Sequence, residues 1–77
     1  MNTIATDVMI HTQNSLSDAE FSEIATQVKQ IKGVVKFDRN QRVPNLIMVA
    51  YNASQTRALN ILNKITRLGF NASLVGI

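Results

Sequence analysis

The chain has 77 residues, 45% of them hydrophobic, a formal net charge of +3 and no cysteine. This length predicts a single domain over residues 1–77, and the lack of cysteine excludes disulfides, thiol redox chemistry and thiolate metal ligands. The charge is uneven, because residues 1–38 contain all five acids and three lysines, a net −2, whereas residues 39–77 contain five bases and no acid, a net +5.

The first predicted element is a strand over residues 6–12, TDVMIHT. Its side chains alternate with a period of two, so that Val8 and Ile10 lie on one face and Met9 and His11 lie on the other. Such alternation is typical of a strand with one face against a core and the other face turned away from it. The sequence therefore predicts that Met9 and His11 point away from the core.

A helix is predicted next, from about Asp18 to Ile31. Ser17 precedes an acid-rich turn and Glu20 follows three residues later, which is the spacing of a capping box. Apolar residues then recur at helical spacing, and Gly33 is a typical helix stop. We therefore expect Ser17 and Glu20 to cap the helix.

The remaining residues predict two strands, a second helix and a fourth strand. The strands are VVKFD, residues 34–38, and LIMVAY, residues 46–51, and the Asn, Pro and Arg residues between them are typical of a hairpin loop. The second helix should begin near Ser54 and end at Gly69. FNASLVGI, residues 70–77, then forms the last strand.

The predicted order of elements is β-α-β-β-α-β. Two right-handed β-α-β crossovers into one sheet place both helices on the same face of that sheet. The sequence therefore predicts an α+β, ferredoxin-like βαββαβ sandwich, in which a four-stranded antiparallel sheet carries two helices on one face. The other face of the sheet, which we call the open face, is left without a covering layer.

Two long segments resemble the heavy-metal-associated domains of copper chaperones and soft-metal transport ATPases. FSEIATQVKQIKGVVKF, residues 21–37, is similar to that family's first helix and the turn after it, and VAYNASQTRALNILNKITRLGFNASLV, residues 49–75, is similar to its third strand, second helix and fourth strand. The resemblance implies a Cys-x-x-Cys metal site at Ser17 and Glu20. Their hydroxyl and carboxylate are hard donors that do not select Cu(I), so we expect a degenerate metal loop without the family's copper activity.

Met9, His11 and Met48 are the alternative metal ligands. Thioether and imidazole groups accept Cu(I), and strand alternation places all three side chains on the open face of two neighbouring central strands. Methionine packs far more often than it binds metal, and a lone histidine at a strand end is usually solvated. We therefore expect no cofactor, with a Met/His metal site as the alternative.

The strand LIMVAY is apolar on both faces. If Ile47, Val49 and Tyr51 face the helices, then Leu46, Met48 and Ala50 face outward. A strand that is apolar on both faces is usually covered on both, and large apolar patches mark interaction sites. The sequence therefore predicts an interface on the open face with a protein partner or with a second copy in a homodimer, formed by Met9, Leu46, Met48 and Ala50.

The bases of the C-terminal half predict a basic surface, formed by Arg39, Arg42, Arg57, Lys64 and Arg67. RNA-recognition modules share this topology, but they stack bases on aromatic residues of the open face, whereas Phe37 and Tyr51 have inward parity here. Nucleic-acid binding is therefore not expected. A solvated helix face is the simplest interpretation, and docking to an acidic protein or an anionic lipid is the alternative.

Catalysis is not expected, because His11 is the one histidine and no motif places an acid to orient it as a base. No apolar run approaches the roughly 18 residues of a membrane-spanning helix, and the N-terminus does not resemble a signal peptide, which predicts a cytoplasmic address. The sequence thus predicts a non-catalytic binding or adaptor module that acts through protein–protein interaction. Its alternative is a metal-binding or metal-chaperone protein that uses the Met/His ligands.

Overall fold

The computed structural model describes residues 5–75, in which six elements follow in the predicted order. They are β1 Ala5–Thr12, α1 Asp18–Lys29, β2 Val34–Arg39, β3 Leu46–Asn52, α2 Ala58–Arg67 and β4 Ala72–Val75. The sheet is antiparallel with strand order β2-β3-β1-β4, which confirms the ferredoxin-like βαββαβ sandwich. The last two positions of the predicted fourth strand, residues 76–77, lie outside the described residues.

The core lies between the two helices and the inner face of the sheet. The central strands place Ile10 opposite Ile47 and Val8 opposite Val49, and all four side chains are buried. Burial of this apolar surface is the main driving force for folding. The inward positions predicted from the periodicity are confirmed, and the core also contains Ile24, Val28, Phe37, Tyr51, Ile61 and Ile65. No helix of the described residues is long and apolar enough to cross a membrane.

The second helix begins at Ala58, later than the predicted start near Ser54. The side-chain oxygen of Asn52 accepts hydrogen bonds from the Ser54 backbone N–H at 2.9 Å and from the Ser54 hydroxyl at 2.6 Å. Such local side-chain bonds hold the backbone in a turn and compete with helical hydrogen bonding. The chain is still extended at Arg57, with φ −131° and ψ 155°, so the first helical residue is the next one.

Gly33 closes the connection between α1 and β2 with φ +103°, a conformation that side chains rarely adopt. Its carbonyl oxygen accepts a hydrogen bond from the Asn52 N–H at 2.7 Å, which ties this turn to the end of β3. A Cβ atom added at Gly33 would lie 2.8 Å from the Cβ of Gln55. Glycine therefore allows the α1–β2 turn to lie directly against the segment that leads into α2.

Candidate functional site

The loop between β1 and α1, residues 13–17, is fixed by the β2–β3 hairpin. Asn45 Nδ2 donates to the Thr12 carbonyl oxygen at 3.0 Å, and the Ser15 hydroxyl donates to Asn45 Oδ1 at 2.9 Å. The Thr12 N–H also donates to the Asn45 carbonyl oxygen at 2.8 Å. Leu16 is buried in the core and anchors the loop from the other side. Hydrogen bonds to Asn45 and the burial of Leu16 therefore hold this loop in place.

Ser17 and Glu20, the degenerate metal-loop positions, form a capping box at the start of α1. The Glu20 N–H donates to Ser17 Oγ at 3.1 Å, and the Ser17 N–H donates to Glu20 Oε1 at 2.9 Å. Each side-chain oxygen thus satisfies a backbone donor that the helix itself leaves unpaired. The capping role predicted for this pair is confirmed.

Arg39 fastens the end of β2 to the first turn of α1. Its Nη1 donates to Asp18 Oδ1 at 3.3 Å and its Nη2 donates to the Ser17 carbonyl oxygen at 3.1 Å. The guanidinium carbon lies 4.5 Å from the centroid of the Phe21 ring, which packs against Phe37 at a centroid distance of 5.2 Å. The sequence predicted Arg39 as part of a basic surface, whereas the structure engages its side chain at this helix start.

Three apolar side chains form a row across the open face. Met9 of β1 lies opposite Val75 of β4 on one side and opposite Met48 of β3 on the other. Met48 is 41% exposed and Val75 is 36% exposed, while Met9 is half-buried. We call Val75, Met9 and Met48 the apolar row. Leu46 and Ala50 flank it on β3 and are half-buried, so the four predicted interface residues share one surface.

Charged side chains border the apolar row. Asp38 lies opposite Met48 and forms an ion pair with Lys36 at 3.3 Å, and Asp7 lies opposite Ala50. These charged groups and the two methionines of the row line a depression of about 320 Å³. An apolar centre with a polar, solvated rim is the usual anatomy of a protein interface. The open face therefore has an apolar centre with charged groups along its border.

The structure brings two of the three alternative metal ligands together. Met9 and Met48 are direct cross-strand partners, whereas His11 lies opposite Leu46 and Ser73. His11 lines a separate depression that contains no carboxylate of the described residues. Within residues 5–75 no group of three His, Cys, Asp or Glu side chains is arranged to hold a metal ion. Met9 and Met48 thus lie side by side on the two central strands, and His11 lines a different depression.

Solved structures with the same fold cover nearly the whole chain. Oxidized MerP from Ralstonia metallidurans CH34 has a TM-score of 0.82 at 14% identity, over 95% of this chain and 100% of that one. The Cu(I)-loaded N-terminal domain of a potential copper-translocating P-type ATPase from Bacillus subtilis has a TM-score of 0.84 at 18% identity, over 95% of this chain and 90% of that one. The yeast copper transporter domain Ccc2a, solved in apo and Cu(I)-loaded states, has a TM-score of 0.80 at 26% identity, over 95% of this chain and 97% of that one. This chain has the fold of the heavy-metal-associated domains.

The heavy-metal-associated fold occurs here in a chain without cysteine, so the Cys-x-x-Cys that the resemblance implies is missing. No protein-family model and no curated protein sequence matches the chain. The similarity to solved structures therefore establishes the architecture of this chain.

A third concave surface lies on the helical side of this heavy-metal-associated fold. It is a shallow groove of about 370 Å³ between the end of the α1–β2 connection and α2, and its cationic residues are Lys32, Lys64 and Arg67. We call it the basic groove. Lys64 and Arg67 belong to the predicted basic surface, and Lys32 was missed because only the tertiary fold brings it beside α2. The rest of the lining includes the polar residues Gln55, Thr56, Asn60 and Asn63.

The other residues of the predicted basic surface do not line the basic groove. Arg42 lies in the β2–β3 hairpin, where its N–H donates to Asn40 Oδ1 at 2.8 Å. Arg57 precedes α2 as its N-cap residue and is exposed. Together with Arg39, which is engaged at the start of α1, they are distributed over two connections and a strand end. The five predicted bases therefore do not converge on one site.

Proposed function

We propose that this domain is a non-catalytic binding module that acts by protein–protein interaction through its open face, with a second copy of the chain or a different protein as the partner. The observation that carries the proposal is the apolar row at the centre of that face. Contiguous exposed apolar surface is uncommon on monomeric domains and marks interaction sites. Because the row lies on paired strands, its backbone is already ordered before binding, so the entropy cost is limited to the side chains.

The hydrogen bonding of the β1–α1 loop supports a role that does not use thiolate chemistry. The side-chain oxygens of Ser17 and Glu20 accept backbone hydrogen bonds, and Arg39 adds a positive charge beside the first turn. A metal cation at this position would meet hard oxygen donors already in use and a neighbouring guanidinium. Selective binding of a soft ion requires soft ligands, which this loop lacks.

We expect Met48→Lys to weaken self-association, because the lysine ammonium would lose its hydration at the centre of the contact. In sedimentation equilibrium, the average mass of the wild-type protein should rise above the 8.5 kDa monomer with concentration. The variant should remain near the monomer mass. Association costs several kcal/mol, and apolar burial contributes only about 25 cal/mol per Å², so the series should extend to roughly millimolar protein.

The matched control is Leu59→Lys, which introduces the same charge at a leucine of α2 that is 58% exposed. This variant should associate as the wild type does. A wild-type protein that stays monomeric throughout the series would exclude the second copy as partner. If Leu59→Lys dissociated the assembly as strongly as Met48→Lys, the interface would lie on α2 and the open face would not be the site.

The pairing of Met9 with Met48 favours a second candidate function, the binding of a soft metal ion. Thioethers accept Cu(I), and the yeast and Bacillus subtilis domains of this fold were solved with Cu(I). We expect an affinity far weaker than a thiolate pair provides, so a strong Cu(I) chelator should retain the metal in a competition titration. If the protein captures the metal, and Met48→Leu or His11→Ala abolishes the capture, this second function would replace the first.

A further inference from the structure

We infer that the basic groove binds an extended acidic segment of a partner protein, at a site separate from the open face. The groove is lined by Lys32, Lys64 and Arg67, and no carboxylate of the described residues belongs to its lining. None of these three side chains forms an ion pair within residues 5–75. Their charges are therefore available to an external anionic group.

The start of α2 adds to the positive potential of the basic groove. The helix begins beside Thr56 and Asn60, its first turn contains no acidic residue, and its N-cap Arg57 makes no side-chain capping bond. The partial positive charge of a helix N-terminus is normally offset by acidic or capping side chains. Here it remains uncompensated at one end of the groove, where it reinforces the attraction for carboxylates.

The shape of the basic groove favours an extended segment over a single small anion. Along α2, Asn60 and Arg67 are separated by about 10 Å at the helical rise of about 1.5 Å per residue. Lys32 lies beyond this stretch, beside the Gly33 turn that packs on Gln55 and Thr56. A single phosphate group occupies only part of this length, whereas an extended chain runs along all of it. An extended peptide advances about 3.3 Å per residue, so about four residues span the distance.

The polar residues of the groove suit a peptide better than a nucleic acid. The side-chain amides of Asn60 and Asn63 both donate and accept hydrogen bonds, as peptide groups do. Single-stranded nucleic acid gains much of its affinity by stacking bases on aromatic side chains. No aromatic residue of the described chain lines the groove. The acidic peptide is therefore the occupant that fits.

The test is an NMR titration of the isotope-labelled whole chain with hexaglutamate, with hexalysine and hexathymidylate in parallel. On addition of hexaglutamate we expect saturable chemical-shift changes of the backbone amides of Lys32, Asn60 and Arg67. Hexalysine and hexathymidylate should not cause them. The double variant Lys64→Glu/Arg67→Glu should bind hexaglutamate roughly tenfold more weakly, since each substitution removes an attraction and adds a repulsion. The control Lys29→Glu/Arg42→Glu makes the same change in net charge at two exposed residues outside the groove and should bind within about twofold of wild type.

Three results would overturn the inference. They are equal loss of binding in both double variants, shifts centred on the open face, and tighter binding of hexathymidylate than of hexaglutamate. If Lys64→Glu/Arg67→Glu is shown by circular dichroism to be unfolded, Lys64→Gln/Arg67→Gln takes its place, with a smaller loss expected in the same direction. Because Met48→Lys leaves the groove unchanged, failure of this inference is distinguishable from failure of the open-face proposal.

Discussion

Ile47→Ala should lower the free energy of unfolding by about 2–5 kcal/mol, because the substitution leaves a cavity at the centre of the core. Ile47 is fully buried on β3 and lies opposite Ile10, which is also fully buried on β1. A domain of this length is stabilised by roughly 4–12 kcal/mol in total, at about 0.05–0.15 kcal/mol per residue. Urea denaturation followed by circular dichroism would measure the loss.

The neighbouring substitution Met48→Ala is the matched control. Met48 is 41% exposed and points to the opposite face of the same strand, so its truncation opens no closed cavity. We expect a loss below about 1 kcal/mol at a protein concentration low enough to suppress association. Equal losses for the two variants would mean that the open face is packed as tightly as the core, which contradicts the arrangement described above.

Gly33→Ala should be the second severe substitution, with an expected loss of about 2–4 kcal/mol. One part is strain, since the backbone has φ +103°. The other part is steric, because the new Cβ would lie 2.8 Å from Gln55 Cβ and 3.3 Å from Thr56 Cγ2. A Cβ atom is bonded directly to the backbone and cannot rotate away from a clash. The α1–β2 turn and the segment before α2 must therefore move apart. Thermal unfolding would show the change.

Gly69→Ala separates the two causes. Gly69 has nearly the same backbone angle, φ +100°, but no atom lies within 4 Å of the Cβ that alanine would add. We expect strain alone, about 1–2 kcal/mol. If both alanine variants lost the same stability, the close approach at Gly33 would carry no energetic weight, and the tie between the α1–β2 turn and α2 would be weaker than the distances imply.

Local patterns were sufficient to predict the order of elements and the face of the sheet that each central strand residue occupies. The alternation around Val8 and Ile10 and the helical spacing after Ser17 report burial directly, because an amphipathic element has one way to face a core. The capping box was predictable for the same reason, since its two members are three residues apart in the chain. These features depend on neighbours in sequence.

The missed features depend on contacts between distant segments. Asn45 supports the β1–α1 loop from the hairpin, and Lys32 lines the same groove as residues of α2, and neither arrangement has a local signature in the sequence. Arg39 is a partial exception. The predicted strand ends at Asp38, which assigns Arg39 to the hairpin loop and the basic surface, whereas β2 extends to Arg39 and its parity with Phe37 directs the side chain towards the helices. Strand parity gives the face of this side chain, and the tertiary fold supplies its contact with Phe21.

The self-contained first turn of α1 has a consequence for how this domain responds to copper availability. When an ion binds only the folded state, the folded population rises and falls with the free concentration of that ion. In this chain the hydrogen bonds of the first turn come from side chains of the protein itself, those of Ser17, Glu20 and Arg39. Because these hydrogen bonds need no bound ion, we expect this turn to contribute the same stability at low and at high copper concentration.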